Sequence, residues 1–138
     1  MNRDLESCKK ILENESLTCV MKCGESFHKF TERGISPFMT LIENGTDLKG
    51  AFAADKVVGK AAALLMKKCE IGAVYAAVIS KPAEKVLKDA GIEYEYGTLV
   101  ERIVNRRGDG LCPMESAVLD IADADEAYNV LRQKLNRI

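Results

Sequence analysis

Seven consecutive apolar residues, Ala73-Val74-Tyr75-Ala76-Ala77-Val78-Ile79, constrain this chain more than any other feature. The run is far below the roughly 20 residues a bilayer span requires. Its β-branched content and lack of alternation are the pattern of a central strand covered on both faces. Such a strand needs a packed layer on each side, and the flanking residues begin to supply them. Ser80 is placed to cap a helix running to about Ala90, with Pro82 in its first turn and Gly91 as its terminator. Ile92, Tyr94 and Tyr96 then alternate with Glu93 and Glu95 as a further strand.

Upstream, Leu5, Cys8, Ile11 and Leu12 recur at helical spacing among charged residues, which predicts an amphipathic helix over roughly 3 to 14. The alternation of Leu17, Cys19, Met21 and Cys23 before Gly24 reads as a strand entering a turn, and residues 26 to 32 supply its hairpin partner. Ser36-Pro37 opens a short helix that Asn44-Gly45 closes. In the stretch 50–66, Val57, Val58, Ala61, Ala62 and Leu65 form one apolar face, and Lys56, Lys60 and Lys67 a basic one. That pattern predicts a largely buried helix starting near Asp55. Residues 98 to 105 are ambiguous between strand and helix. Cys112-Pro113 starts another helix, and Asp123 with Glu126 caps a last one whose apolar face is Ala127, Val130, Leu131, Leu135 and Ile138.

Helices between strands, with one hairpin, predict a single α/β domain over 1–138: a three-layer α/β/α sandwich with a mixed sheet. A chain of 138 residues is long enough to bury a core without disulfide or metal staples. With 20 Lys+Arg against 21 Asp+Glu there is no overall basic field to draw the chain onto nucleic acid or an anionic membrane. The charged first residues are unlike a signal peptide, and five cysteines, an odd number, suit a reducing compartment, so the expected location is cytoplasmic. One histidine and no CxxC pair leave poor prospects for zinc.

Three segments carry a resemblance: AADKVVGKAAA (53–63), VISKPAEKVL (78–87) and, most specifically, NRRGDGLCPME (105–115). Together they resemble a prokaryotic family known as domain of unknown function 1893, and the order of elements looks like the cytidine-deaminase-like fold. The resemblance implies that fold and no established activity. Zinc deaminases of the fold place a His-x-Glu word at the start of the second core helix and Pro-Cys-x-x-Cys at the start of the third. The expected positions here, Ala54 to Val57 and Ser80 to Lys85, hold neither histidine nor cysteine. The resemblance thus argues for the scaffold and against zinc-dependent deamination; no metal and no cofactor are expected. It also allows, as one alternative, a homo-oligomer built on the sheet edge or the last helix.

The candidate site residues follow from these placements. Asp55, at a helix start, could accept hydrogen bonds from a ligand or simply cap the helix; Lys56 and Lys60 could pair with phosphate or form a solvated stripe. Gly59, in mid-helix, implies a close approach by either the sheet or a ligand. Cys112, at a helix N-cap beside Arg106 and Arg107, is either a thiolate nucleophile or a serine substitute in a capping box closed by Glu115. The loop Asn105-Arg106-Arg107-Gly108-Asp109-Gly110 suits phosphate, or is a flexible turn. His28 belongs to the hairpin, Arg33 to a turn, and Cys8, Cys19, Cys23 and Cys69 read as small apolar residues. The functional expectation is a nucleotide or similar phosphorylated small molecule bound at an edge formed by Asp55, Lys56, Lys60, Ser80, Asn105 to Gly108 and Glu115. The alternatives are a transferase or hydrolase using Cys112 or Asp55, and a non-catalytic regulatory or oligomerisation module.

Overall fold

The computed structural model describes residues 2–105 and 107–135; Arg106, a predicted ligand residue, and Ile138, on the predicted last helix, lie outside them. Eleven elements follow one another among the described residues: α1 (Arg3–Asn14), β1 (Cys19–Cys23), β2 (Ser26–Phe30), α2 (Ser36–Glu43), β3 (Phe52–Val58), α3 (Lys60–Lys68), β4 (Ala73–Ser80), α4 (Lys81–Asp89), β5 (Glu93–Val100), α5 (Pro113–Ala117) and α6 (Ala124–Lys134). Five strands form one mixed sheet in the order β2-β1-β3-β4-β5. β1 pairs antiparallel with β2 and with β3, whereas β3, β4 and β5 run parallel.

The two faces are unequally covered. On one, α1 lays Leu5, Cys8 and Leu12 against Val20, Ala54, Ala73 and Tyr75. On the other, α2, α3, α4 and α6 bury Phe38, Met39, Leu64, Leu65, Leu87 and Leu131 against Met21, Ala53, Val74 and Ala76. This is the three-layer α/β sandwich expected from the order of elements. Helix α3 sits deepest, with all six residues from Ala61 to Met66 buried. A helix apolar all round is stable only when enclosed, and each of its leucines contributes about 2 to 3 kcal/mol by leaving water.

Several local signals operate as read. The Ser80 hydroxyl accepts from the Ala83 N–H at 3.2 Å, and Gly91 leaves α4 with a φ of +73°. Asp123 caps α6 through the Glu126 N–H at 2.9 Å. For α2 the cap is Ile35 rather than Ser36, which is already helical and makes no side-chain cap. Residues 98–100 complete β5, and beyond them Val104 and Leu111 form an isolated bridge.

The segment read as a helix from Asp55 is a correction. Residues 52 to 58 form β3, the middle strand of the sheet, and the helix begins only at Lys60. Alanine and lysine favour a helix locally and aspartate its N-cap, but a central strand flanked on both faces by helices needs small side chains, and Ala53 and Ala54 point to opposite faces at 0% exposure. Ladder bonds to β1 and β4 override the propensity. Val57 is consequently 44% exposed instead of lining a helical core face.

Candidate functional site

The chain turns from β3 into α3 at Gly59, which is the N-cap of α3 and has no side chain with which to satisfy the first helical N–H groups. Glu115, on α5, supplies the acceptor. Its Oε1 accepts from the Lys60 N–H at 2.7 Å and its Oε2 from the Ala61 N–H at 2.9 Å. The carboxylate is buried, at 7% exposure, and lies at the positive end of the helix dipole. Gly59 is required by this approach: a Cβ there would stand 2.5 Å from Glu115 Oε1. Its backbone, at φ −99° and ψ −178°, is ordinary extended chain, so the constraint is space and not conformation.

This corrects two expectations. The close approach at Gly59 comes from neither the sheet nor a ligand but from a side chain of another helix. Cys112 does occupy the N-cap of α5, yet it makes no side-chain cap bond, and Glu115 does not return to close a capping box; its oxygens are committed to α3.

A groove opens beside this junction. One part, about 370 Å³, lies between α3 and α4 on one side and residues 119 to 122 on the other, with Leu64, Val86 and Ile121 as its floor and Lys67 and Lys85 at its rim. The other, about 300 Å³, is lined by Glu101, Arg102, Leu111 and Glu115. Lys60, Pro82 and Leu119 line both. Lys60 Nζ donates to the Leu119 carbonyl at 2.9 Å and so bars the boundary between them. Lys85 is paired with Asp89, and Glu101 with Lys81. Among the described residues, Lys67 and Arg102 have no acidic partner, which leaves the groove a surplus of positive charge over an apolar floor.

Of the residues singled out in the sequence, Lys60 and Glu115 meet here, and the others do not join them. Lys56, exposed on β3, lines a separate cavity of about 270 Å³ with Leu12, Glu13 and Tyr75 under α1. Ser80 is fully buried and its hydroxyl is used as a cap. Asn105 folds the loop onto itself: its Oδ1 accepts from Gly108 and Asp109 N–H groups, and its Nδ2 donates to Asp109 Oδ1. Arg107 is exposed, Cys112 is half-buried, and His28 is half-buried opposite Met21 in the hairpin. All five cysteines are free; burial pushes the Cys8 and Cys69 thiols up to about 11.

Asp55 is a strand residue, not a helix cap. It faces the α2–α6 layer opposite Cys19 on β1 and Ala76 on β4. At 5% exposure its Oδ1 accepts only from the Val57 N–H at 3.3 Å, and Oδ2 is buried with no partner. Desolvation raises its pKa from the ordinary 3.8 to about 7.

Arg102 and Leu119 were not singled out from the sequence. The first lies within the stretch 98–105 that reads as either strand or helix, and nothing local marks the second. The true start of α3 is Gly59-Lys60-Ala61, not the 54–57 word, and neither that start nor the start of α4 contains histidine or cysteine. Among the described residues no group of three His, Cys, Asp or Glu side chains could hold a metal ion, and no helix is long and apolar enough to cross a membrane.

None of the curated proteins matches this chain significantly in sequence. Among solved structures, a DUF1893 family protein (TM1506) from Thermotoga maritima superposes with a TM-score of 0.88 at 30% identity, over 97% of this chain and 92% of that one. A diaminohydroxyphosphoribosylaminopyrimidine deaminase/5-amino-6-(5-phosphoribosylamino)uracil reductase from Thermotoga maritima gives a weaker likeness, with a TM-score of 0.45 at 15% identity, over 83% of this chain and 38% of that one. The profile of TM1506, domain of unknown function (DUF1893), matches residues 7–135, and the chain belongs to that family.

Proposed function

We propose that this protein binds a nucleotide or similar phosphorylated small molecule in the groove between α3, α4 and residues 101 to 122, and does so without zinc-dependent deaminase chemistry. The observation that carries the reading is the pair of adjoining cavities, about 370 and 300 Å³, with an apolar floor and the cations Lys60, Lys67, Lys85 and Arg102 around them. Their size falls within the usual range for small-molecule sites. Val86 and Ile121 offer apolar area to a ring, and Lys67 and Arg102, lacking acidic partners, offer charge to phosphate. Ser80 and Asp55 have no part in it, since one is spent as a cap and the other faces the buried layer.

Thermal unfolding and native mass spectrometry with nucleoside mono- and diphosphates test the reading. A ligand present at 100 times its dissociation constant adds about 2.7 kcal/mol of stability. The stabilisation should disappear when Lys67→Glu and Arg102→Glu reverse the charge. A flat response across the series, with no bound mass, rejects the proposal.

A further inference from the structure

The groove has one fixed wall and one appended wall. α3 and α4 are packed into the sheet layer, whereas the described residues of 101 to 122 leave the sheet after β5, pass the Val104–Leu111 bridge, and return through α5. Among the described residues, the polar ties between this segment and the rest of the chain are three. Lys81 pairs with Glu101, Lys60 Nζ reaches the Leu119 carbonyl, and Glu115 receives the Lys60 and Ala61 N–H groups. All three sit at the N-terminal ends of α3 and α4. The Lys81–Glu101 pair is exposed and therefore weak. Glu115 alone is buried.

We infer that residues 101 to 122 form a strap, and that the Glu115 carboxylate seated beside Gly59 is the latch that holds it closed over the groove. The inference rests on the ligand-binding reading only for its functional consequence, because the latch is a property of the chain alone. Closure creates both cavities, since Arg102, Leu111, Leu119 and Ile121 come from the strap and the facing residues from α3 and α4. A molecule touching both walls binds the closed strap only, so occupancy and closure reinforce one another. Val118, fully buried, anchors the strap's inner side and gives it a place to return to after opening.

Hydrogen exchange followed amide by amide tests the latch. Glu115→Ala removes the carboxylate; Gly59→Ala keeps it but fills its seat, and because the clashing atoms end a flexible side chain, the carboxylate swings out while the helix stays. Loss of two buried, charge-assisted hydrogen bonds should speed exchange between Leu111 and Ile121 by about tenfold or more in each variant, with the amides of β1, β3 and β4 remaining slower than those of the strap. Unchanged exchange in the strap for both variants, or strap and sheet amides that exchange at one common rate, overturns the inference. ADP, as the probe, should slow strap exchange in the parent and not in Glu115→Ala. If the variants open the strap but ADP leaves the parent unaltered, the binding reading fails and the latch stands.

Discussion

Among the described residues two carboxylate side chains are buried, and the fold treats them differently. Glu115 is brought to the start of α3, where two backbone N–H groups at 2.7 and 2.9 Å and the helix dipole meet its two oxygens. Asp55 lies within the middle strand, where the backbone is already engaged in ladders to β1 and β4. It receives one bond at 3.3 Å and keeps one oxygen unpartnered. Burial to a similar depth, 7% against 5% exposure, thus has opposite consequences. A helix start has donors to spare, and a central strand has none. The first carboxylate joins distant parts of the chain through its two hydrogen bonds; the second favours its neutral form.

The contrast is broken most severely at Glu115. Glu115→Ala strands two helical N–H groups and should cost about 3 to 5 kcal/mol in urea unfolding, on the scale of two hydrogen bonds to a charged group. A loss below 1 kcal/mol would show that water replaces the carboxylate freely. At Asp55 the expected sign is reversed and depends on pH. With a pKa of about 7 when folded against 3.8 when unfolded, the group binds its proton more tightly in the fold. Its stabilising contribution is complete below about pH 4 and is lost as pH rises through 7, a span of roughly 4 kcal/mol at most. Asp55→Asn, neutral at every pH, should flatten that slope and be more stable than the parent at pH 8, with the difference closing toward pH 4; parallel stability curves for the two proteins would refute it. The smallest effect belongs to the other capped helix start. Ser80→Ala removes a single local cap from α4 and should cost about 1 kcal/mol, with no change in strap exchange.

The comparison of α3 with α4 also explains what was readable in the residues. α4 is capped by a hydroxyl three positions away from its partner, so Ser80, Pro82 and Gly91 announced it. α3 is capped from 55 positions away, and nothing near Lys60 could reveal that Glu115 would arrive. Gly59 reads as an anomaly demanding a close neighbour, but the helical composition of the stretch before it places it in a helix interior. The same error put Asp55 at a helix cap and Lys56 beside Lys60, whereas a strand sends Asp55 to the α2–α6 layer and Lys56 toward α1. Of the predicted ligand residues, Lys60 and Glu115 share the groove, and its other cations lie on α3, α4 and the segment after β5.

By itself the sequence determined what depends on neighbours within a turn or two: the amphipathic α1, the hairpin, the doubly covered β4, the caps of α4 and α6, and the absence of histidine and cysteine at the starts of α3 and α4. Those features are set by side-chain periodicity and by hydrogen bonds that span three or four residues. The tertiary structure decided that residues 52 to 58 are a strand, that Asp55 is a buried acid with one oxygen unpartnered, and that Glu115 closes the start of α3 beside the groove. Each of these turns on backbone groups finding partners far along the chain, in β1 and β4 for β3 and in α5 for α3, and no local pattern encodes a partner at that distance.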